Sequence, residues 1–361
     1  MEIKEGSAKI YYKKEWLNRL SSKLEVFYNP IMQINRDLTI LIIKSYYIIT
    51  GKKVDFLDAM SGTGIRSIRI LKEARECVRN ITINDISKSA IDHIKKNLKL
   101  NDIPLSDVEL TREDCRILMY KKRFNFIDID PFGPPIGFIE PAVVSLRNKG
   151  ILAVTATDIS ALSGVKVGAC RRKYRCHSRR TDFYKEFGIR NLIRYVIEEA
   201  SQFEIAMIPI FGYYYKHHYR VFFLKSVKKT DLNRLLENIN HVSYCVKCHY
   251  KSSSDDICKI CGNKLLTIGP IYTDRMYNVD YLKVMIQLSK EFNKETRKIL
   301  ERIYNGDAKL GDIWYYYEIP ELARVQKVSE IPKIGKILEK YNGVRTHFSE
   351  TGIKCREYPF I

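Results

Sequence analysis

A carboxylate follows directly after an apolar run near the middle of the chain. Residues 125–133 read Asn-Phe-Ile-Asp-Ile-Asp-Pro-Phe-Gly, which predicts a buried strand that ends at Asp130, because Pro131 has no amide hydrogen to continue a ladder. Asp130 and the Pro131 carbonyl offer hydrogen-bond acceptors, and Phe132 offers a flat aromatic face. These groups suit an exocyclic amine on an aromatic base. The alternative is that Asp130 only caps the next helix, but ligand crevices of α/β sheets usually lie at the carboxyl ends of strands.

A turn with two glycines follows an earlier apolar run. Gly62 and Gly64 let backbone amides approach a ligand at a helix N-terminus, and Asp85, after the next strand, is placed to accept from a ribose hydroxyl pair. A dinucleotide site would prefer a third glycine where Ser67 stands. Asp58, at the start of the turn, would repel a phosphate but attract an ammonium or a sulfonium. The turn therefore favours S-adenosylmethionine over a nicotinamide dinucleotide as the cofactor.

Other polar residues near these segments have two interpretations each. Asp114 follows the third strand and is placed to accept from an adenine amino group, with Cys115 as an apolar contact and an amide donor. The alternative is that Asp114 is a surface turn residue. Phe27 and Arg36 precede the first strand, close to a helix that apolar spacing predicts over residues 35–49. Polar residues there either serve a ligand or cap the helix.

Two Cys-x-x-Cys pairs indicate a metal site. Nine residues separate the two pairs, which are formed by Cys245, Cys248, Cys258 and Cys261. Four thiolates at this spacing predict one tetrahedral Zn²⁺. No further ligand stands where it would leave an open position, so the zinc is expected to be structural. An iron–sulfur cluster remains an alternative, because the ligands alone do not fix the metal.

A basic segment follows the fifth predicted strand. Between residues 166 and 180 there are seven cations and no acid, namely Lys166, Arg171, Arg172, Lys173, Arg175, Arg179 and Arg180. So many neighbouring cations repel one another unless an anion shares the space, and the arginine fork suits phosphate oxygens. We therefore predict that this segment, expected to be a loop, contacts a nucleic-acid backbone. The alternative is a merely solvated surface.

The composition limits the class of protein. The chain has 361 residues, of which 45% are hydrophobic and 29% charged, with a formal net charge of +20. This length predicts two domains, over residues 1–228 and 229–361. The positive charge predicts a nucleic-acid partner rather than a membrane, since no basic amphipathic anchor is visible. The charged N-terminus and the lack of a long apolar run predict a cytoplasmic protein. Nothing in the sequence indicates an obligate protein partner.

The fold expected for the first domain is α/β. Strands and helices alternate from Val54, which predicts a Rossmann-like, doubly wound sheet of seven strands with an antiparallel closing strand. The predicted strands cover residues 54–59, 81–84, 108–110, 125–129, 151–157, 204–209 and 219–225.

A smaller α+β domain with the cysteine pairs is expected to follow. It contains a predicted helix from Asp280 to about Tyr304, and its end reads helix, turn, helix and strand over residues 313–348. That order resembles a helix-turn-helix with a wing, on which Arg345 would meet nucleic acid. A purely structural module is equally compatible with the pattern.

Taken together, these motifs resemble the tRNA guanine-26 N2,N2-dimethyltransferase family in its archaeal form. The resemblance covers nearly the whole chain. It rests on residues 5–10 (Glu-Gly-Ser-Ala-Lys-Ile), 26–30 (Val-Phe-Tyr-Asn-Pro), 35–37 (Asn-Arg-Asp), the turn that begins at Asp58, residues 130–133 (Asp-Pro-Phe-Gly), the four cysteines and residues 345–348 (Arg-Thr-His-Phe). The first and the last of these segments are not general methyltransferase motifs, so their joint presence is specific. The chain departs from the family's usual pattern at Tyr272, where a tryptophan is common, and the cysteine pairs are not universal in the family.

The resemblance implies an S-adenosylmethionine-dependent methyltransferase that acts on tRNA. It implies that residues 130–133 form the target-base site, with Phe27 and Phe132 as stacking faces. The positions that match cofactor contacts in the family are Arg36, Arg66, Asp85, Asp114 and Cys115. The alternatives are a methyltransferase on another amine (adenine N6 or a protein amide), a non-catalytic RNA-binding protein and a nicotinamide-dependent oxidoreductase.

Overall fold

The computed structural model describes residues 1–13 and 26–361, and the described chain begins with a hairpin and a long helix. Strands β1 (Glu2–Glu5) and β2 (Ala8–Tyr11) pair antiparallel. Helix α1 (Gln33–Thr50) follows, and Gly51 ends it in the left-handed conformation, with φ of 67°.

Strands and helices then alternate as the sequence predicts. The elements are β3 (Val54–Asp58), α2 (Ile65–Glu73), β4 (Val78–Asn84), α3 (Lys88–Leu100), β5 (Glu109–Thr111), α4 (Cys115–Lys121), β6 (Phe124–Ile129), α5 (Ile136–Ser145), β7 (Leu146–Ala156), α6 (Ile159–Leu162), α7 (Val167–Tyr174), α8 (Tyr184–Ser201), β8 (Ala206–Tyr215) and β9 (His218–Ser226).

One seven-stranded sheet contains β3 to β9, in the order β5-β4-β3-β6-β7-β9-β8. The pairs among β3 to β7 are parallel, and a short turn joins the neighbouring strands β8 and β9 into a closing hairpin. This confirms the predicted α/β class. The strand order reverses between β3 and β6, and in open α/β sheets ligands bind at such a switch point.

The remaining elements form two small sheets with helices. They are α9 (Lys229–Glu237), β10 (Ile239–Tyr244), β11 (Lys251–Ser252), β12 (Leu266–Tyr272), α10 (Val279–Leu288), α11 (Lys294–Arg302), β13 (Tyr317–Glu318), α12 (Ile319–Gln326), α13 (Ile334–Lys340), β14 (Val344–Arg345) and β15 (Gly352–Lys354). Their sheet orders are β11-β10-β12 and β13-β15-β14.

The structure corrects three predicted elements. The basic segment is a loop only in part, because Val167–Tyr174 forms α7, and arginine and lysine are good helix formers. The helix expected from Asp280 is two helices, since Asn293 begins α11 by accepting from the amide of Glu295 at 2.9 Å. The helix expected over residues 313–325 begins only at Ile319, because β13 precedes it in the sheet.

The contacts within the chain define two compact units, each built from several segments. One contains Met1–Thr155, Phe222–Lys225 and Asp280–Lys298, and the other contains Ala156–Val221, Ser226–Val279 and Ile299–Ile361. A functional division at residue 228 stays a prediction. Within the described ranges, no helix combines the length and the apolar character needed to span a bilayer.

Candidate active site

Asp130 lies directly after β6, as predicted, and its carboxylate is paired rather than free. The Arg66 side chain donates from Nη2 to Asp130 Oδ2. The Asp130 side chain is 19% exposed, and the neighbouring Phe132 is 54% exposed. The predicted acceptor and the predicted aromatic face are therefore both accessible at the carboxyl end of a central strand.

Buried polar groups fix the orientation of Arg66. Its Nη1 lies 3.1 Å from Asp128 Oδ2 and donates to Asn35 Oδ1 at 2.7 Å and to Thr39 Oγ1 at 3.0 Å. Asn35 and Thr39 belong to α1, and Asp128 belongs to β6. Helix α1 and strand β6 thus hold Arg66, which in turn holds Asp130.

Asp58 ends β3 beside Asp128, its partner in the ladder with β6. Its Oδ2 accepts from Ser67 Oγ at 2.7 Å. Burial raises the pKa of Asp58 to about 6, although Arg66 opposes the rise. The carboxylates of Asp128 and Asp130 reinforce it. Three carboxylates around one guanidinium give the site a net negative charge. This charge fits the sulfonium and ammonium groups of S-adenosylmethionine.

The two proposed stacking residues are brought together. The rings of Phe27 and Phe132 meet edge to face, with centroids 4.5 Å apart and an interplanar angle of 76°. The sequence separates them by about a hundred residues, so only the fold creates this aromatic pair. Phe27 also touches the glycine turn, since a Cβ added to Gly62 would lie 3.1 Å from the Phe27 carbonyl oxygen.

The glycine turn and Asp85 form one structure. Asp85 Oδ2 accepts from the Gly62 amide at 2.9 Å, and Oδ1 accepts from the Ser87 amide at 2.9 Å. Gly62 and Gly64 have φ of 55° and 76°, values that other residues adopt only with strain. A Cβ on Gly64 would also approach Ile94 to 3.1 Å. The backbone conformation and the close packing of the turn therefore require glycine at both positions, and the approach of a ligand to their amides stays a prediction.

Asn84 joins the ends of three strands, a role that sequence reasoning missed. Its Nδ2 donates to the carbonyls of Ala59 and Glu113, both at 3.0 Å. Its Oδ1 accepts from Thr111 Oγ1 at 2.8 Å. The side chain is buried, and a polar residue at the end of an apolar strand was the only signal for it.

Asp114 and Cys115 start α4. The Asp114 carboxylate accepts from the Arg116 amide at 2.9 Å and pairs with the Arg116 guanidinium, so it caps the helix. Cys115 is buried, and burial raises the pKa of its thiol to about 12, so the side chain is a neutral thiol and not a thiolate. Capping is compatible with either interpretation of Asp114, and its contact with a cofactor stays a prediction.

Arg36 is hydrogen-bonded to the N-terminal hairpin. Its Nε donates to Glu5 Oε1 at 2.6 Å, and its Nη2 donates to the Asn29 carbonyl at 3.0 Å. Glu5 is also bonded by Arg69 and by the Tyr28 hydroxyl. These contacts give a structural reason for the polar segments before the first strand. A cofactor contact of Arg36 stays a prediction.

The four cysteines of the two pairs come together in space. Their sulfur atoms all lie within 4.8 Å of one another, and the Sγ–Sγ distances are 3.5 Å for Cys245 and Cys261 and 3.4 Å for Cys248 and Cys258. These distances are too long for disulfides, at about 2.05 Å. Tetrahedral zinc, with Zn–S bonds of about 2.3 Å, needs sulfurs about 3.8 Å apart. The cluster therefore fits one tetrahedral Zn²⁺.

Lys251 anchors the segment between the cysteine pairs. Its ammonium pairs with Asp182 at 2.7 Å and lies 3.9 Å from the Tyr317 ring centroid. Both charged side chains are fully buried. The segment that carries the cysteines is thus fixed to neighbouring elements of its own unit by a buried ion pair and a cation–π contact.

The basic segment divides into paired and unpaired cations. Arg175 pairs with Glu199, and Lys173 pairs with Asp158 at 3.4 Å. Arg180 instead lies over a ring, 4.1 Å from the Tyr184 centroid. Three exposed arginines have no acidic partner within salt-bridge distance in the described part of the chain, and these are Arg171, Arg172 and Arg179.

Arg345, the remaining predicted RNA contact, is exposed on β14. Its Nη1 donates to the Glu350 carbonyl at 3.0 Å. The following residues have structural contacts, because Thr346 Oγ1 and His347 Nδ1 both bond the buried Asp307, at 2.6 Å each. The sequence 345–348 therefore combines one exposed cation with a buried polar cluster.

Comparison with known proteins places the chain among RNA-modifying enzymes. The family model for N2,N2-dimethylguanosine tRNA methyltransferase matches residues 6–357. The tRNA (guanine(26)-N(2)/guanine(27)-N(2))-dimethyltransferase of Aquifex aeolicus is 36% identical, over 98% of this chain and 92% of the relative. The tRNA (guanine(26)-N(2))-dimethyltransferase of Saccharolobus islandicus is 34% identical, over 98% of this chain and 95% of the relative.

A solved structure agrees with these sequence matches. The complex of Trm1 from Pyrococcus horikoshii with S-adenosyl-L-methionine superposes with a TM-score of 0.86 at 28% identity, and the match covers 99% of this chain and 97% of that one. The family match extends over almost the whole described chain and includes the segments around Asp58 and Asp130. This chain belongs to the N2,N2-dimethylguanosine tRNA methyltransferase family.

Proposed function

We propose that this chain transfers methyl groups from S-adenosylmethionine to the exocyclic N2 of guanine 26 in tRNA, giving the monomethylated and then the dimethylated base. The observation that carries the proposal is the position of Asp130 and Pro131 at the switch point of the sheet, beside the rings of Phe27 and Phe132. Family membership and the names of the relatives agree with it.

In this proposal Asp130 and Pro131 position the amine. The lone pair of a guanine N2 is delocalised into the purine, so the amine is a weak nucleophile. Hydrogen bonds from its two N–H groups to the Asp130 carboxylate and the Pro131 carbonyl localise the lone pair and orient it for in-line transfer. Arg66 fixes the position of the Asp130 carboxylate, since Arg66 is itself held from α1 and β6. No covalent intermediate with the chain is needed.

Asp58, Asp85 and the glycine turn form the proposed cofactor site. S-adenosylmethionine, when bound, supplies the methyl group from its sulfonium. The carboxylates at the ends of β3 and β6 stabilise the positive charge of the cofactor, and Gly62 and Gly64 allow its close approach. Asp85 accepts from the ribose hydroxyls in exchange for its bond with the Gly62 amide. Arg36, Arg66, Asp114 and Cys115 complete the set that the family resemblance implies.

Phe27 and Phe132 receive the flipped base. Extruding a base costs a few kcal/mol, and stacking on aromatic rings returns about 1 to 3 kcal/mol per base. Stacking does not depend on the protons of the amine, so the same rings can hold the monomethylated base. With each methyl group that it gains, N2 loses one proton, which passes to the Asp130 carboxylate that accepts its hydrogen bond and from there to solvent. After the first transfer one N–H remains, and one of the two acceptors releases its hydrogen bond. A single site can therefore add both methyl groups.

The other predicted features support the same function. A structural zinc in the cysteine cluster would stabilise the segment of Lys251. The basic segment and Arg345, on a helix-turn-helix-like end with a wing, would contact tRNA phosphates. A cytoplasmic location is expected for an enzyme that acts on tRNA.

Product analysis tests the proposal directly. Unmodified tRNA transcripts incubated with the protein and S-adenosylmethionine should yield N2-methylguanosine early and N2,N2-dimethylguanosine late after digestion to nucleosides. A matched transcript with adenosine at position 26 should give no product there. Methylated guanosine at position 27 would extend the site to a second base, as the name of the Aquifex aeolicus relative includes. Label in adenine or in protein would overturn the substrate assignment.

A further inference from the structure

Four cations meet at the amino ends of the strands, at the edge of the sheet opposite to Asp130. Lys52 and Lys53 precede β3, Arg79 lies at the start of β4, and Arg147 lies at the start of β7. Together with Asn125 they line a cavity of about 390 Å³. We call these four cations the basic edge.

Both arginines of the basic edge stand at irregularities of the parallel ladder. Arg79 is an extra residue of β4, because Val54 and Asp55 of β3 pair with the residues on either side of it. Arg147 lies in residues 147–150 of β7, which are inserted between two consecutive pairs with β6. Bulges are rare between parallel strands, and they redirect side chains. Two of them at one edge bring the guanidinium groups to the same place.

A single carboxylate fixes both guanidinium groups. Arg79 Nε donates to Asp55 Oδ1 at 2.8 Å, and Arg147 Nη1 donates to Asp55 Oδ2 at 2.7 Å. Asp55 is 10% exposed, whereas the Arg79 and Arg147 side chains are 56% and 47% exposed. The carboxylate therefore orients the two forks and leaves about half of each side chain open to an anion.

The two lysines add charge without a partner of their own. Lys52 and Lys53 are exposed and have no acidic group within salt-bridge distance among residues 1–13 and 26–361. Four cations against Asp55 leave an excess of three positive charges around the cavity. Such an excess attracts phosphate groups, and arginine forks match their oxygens.

The lining favours a polymer over a small metabolite. Pockets for small molecules are mostly apolar and enclose their ligand, whereas this cavity is lined by Lys52, Lys53, Arg79, Asn125 and Arg147 alone. We infer that the basic edge binds the phosphate backbone of the tRNA substrate away from the reacting base, an inference that rests on the function proposed above. Strand β6 has six residues and spans about 20 Å, which separates the basic edge from the end of the strand that carries Asp130. This distance is less than one turn of a nucleic-acid duplex, about 34 Å, so one tRNA is long enough to reach both.

The test removes the two unpaired lysines, which takes no ion pair from the fold. The variant Lys52→Ala/Lys53→Ala is compared with Lys95→Ala/Lys96→Ala, an adjacent, exposed lysine pair on α3 in the same contact unit. Binding of an unmodified tRNA transcript is measured over a range of salt concentrations. The first variant should lower the slope of log K against log salt by about 0.7 to 0.9 for each lost phosphate contact, with the dissociation constant of S-adenosylmethionine and kcat at saturating tRNA unchanged.

Three results would overturn the inference. Equal changes in both variants would show a general effect of net charge. An unchanged slope in the first variant would show that the lysines make no backbone contact. Binding of inorganic phosphate is measured separately. If the first variant loses phosphate binding but binds tRNA as the wild type does, the basic edge is a site for a free anion and not for tRNA. The proposed function fails separately, if wild-type protein makes no methylated guanosine, and the binding comparison still decides the role of the basic edge.

Discussion

Asp130 is the residue on which the proposed transfer depends, and its contact with Arg66 determines how to test it. Asp130→Asn keeps the shape of the side chain but replaces one acceptor with a donor, so it cannot hold an amine in the same way. We expect methyl transfer to fall by at least about a hundredfold, with cofactor binding nearly unchanged. Single-turnover rates and calorimetric titration measure the two effects. Transfer within tenfold of wild type would remove Asp130 from the mechanism.

Asp58 should make cofactor binding depend on pH. Its pKa is raised to about 6 in the folded chain, so the carboxylate that attracts the cationic cofactor is protonated below that pH. The affinity for S-adenosylmethionine should fall up to about tenfold for each pH unit below 6 and level off above it. Asp58→Asn should bind more weakly at pH 7.5 and lose this dependence between pH 5 and 7. A wild-type profile that is flat over this range would contradict the assignment.

The raised pKa of Asp58 affects the stability of the cofactor-free protein in the opposite direction, because ionisation of Asp58 favours cofactor binding but destabilises the folded chain. The folded state holds the Asp58 proton more tightly than the unfolded state, whose pKa is near the ordinary 3.8. This group therefore contributes stability at low pH that is lost as the pH rises from about 4 to about 6. Asp58→Asn should raise the melting temperature of the cofactor-free protein at pH 7.5 and reduce the increase that S-adenosylmethionine produces. Thermal unfolding with and without the cofactor checks both.

Sequence reasoning placed candidate site residues at strand ends, where the structure also has them, and missed the residues that orient them. Asp130, Asp58 and Asp85 stand at the ends of apolar runs, and the turn residues that follow these runs make the strand ends visible. Asn35 and Asp128 act through Arg66, which requires α1 to lie beside β6. Those partners are distant in the sequence and give no local signal. Contacts of this kind follow from packing and are not readable from one segment.

At the level of elements, the cysteine cluster gives a metal prediction. Cys245→Ser and Cys261→Ser should each abolish binding of one zinc per chain, because a tetrahedral site loses one of its four ligands. The segment of Lys251 should then become sensitive to protease. Cys355→Ser, which changes a buried thiol outside the cluster, should retain the metal and is the matched control. Elemental analysis that finds iron, or no metal in wild type, would contradict the zinc assignment.

The basic segment allows an internally controlled test of RNA contact. Arg171→Ala/Arg172→Ala removes two unpaired cations, and each lost phosphate contact should lower the salt slope of tRNA binding by about 0.7 to 0.9. Arg175→Ala removes a cation that Glu199 already neutralises, so its effect should be smaller. The salt dependence of tRNA binding distinguishes them. Equal effects, or none, would return the segment to a solvated surface.

The elements themselves were largely predictable. The alternation from Val54 predicted the seven strands, since apolar runs bounded by turn residues are a strong local signal. The errors lie where tertiary context decides: α7 forms inside a segment judged only by its charge, and Tyr317–Glu318 becomes a strand by pairing with β15. The extra residues of β4 and β7 had no signal in the sequence, because a bulge depends on the register of its partner strand.

For the whole molecule, the contact units predict which truncation will fold. The unit that contains Asp130 also includes Asp280–Lys298, and Thr296 Oγ1 donates to the buried Asp37 Oδ2 at 2.7 Å. A chain shortened to residues 1–228 loses this segment and leaves apolar surface of its unit uncovered. We expect it to aggregate or to melt at a clearly lower temperature than the full chain. Circular dichroism and cofactor titration of the shortened chain measure this.

The control for the shortened chain is a full-length variant in which only one contact of residues 280–298 is weakened. Thr296→Val removes the hydroxyl bond to Asp37 but keeps the segment, so it should fold and still bind S-adenosylmethionine. A fragment 1–228 that is as stable as the full chain and binds the cofactor would support a division into domains at residue 228. Family membership is independent of this result, because the match extends over residues 6–357.

The edge-to-face contact of Phe27 and Phe132 lowers the net free energy that a base gains when it enters the site. A base that stacks on these rings replaces a contact that the rings already make with each other. The stacking energy of the base is therefore partly offset by the loss of that ring–ring contact. Such a ring pair contributes about 0.5 to 1.5 kcal/mol beyond the area it buries, against about 1 to 3 kcal/mol for each stacked base. The net gain is therefore smaller than stacking alone implies, which keeps the occupied state reversible. Release of the methylated base is favoured by the same exchange, because the rings regain their contact with each other as it leaves.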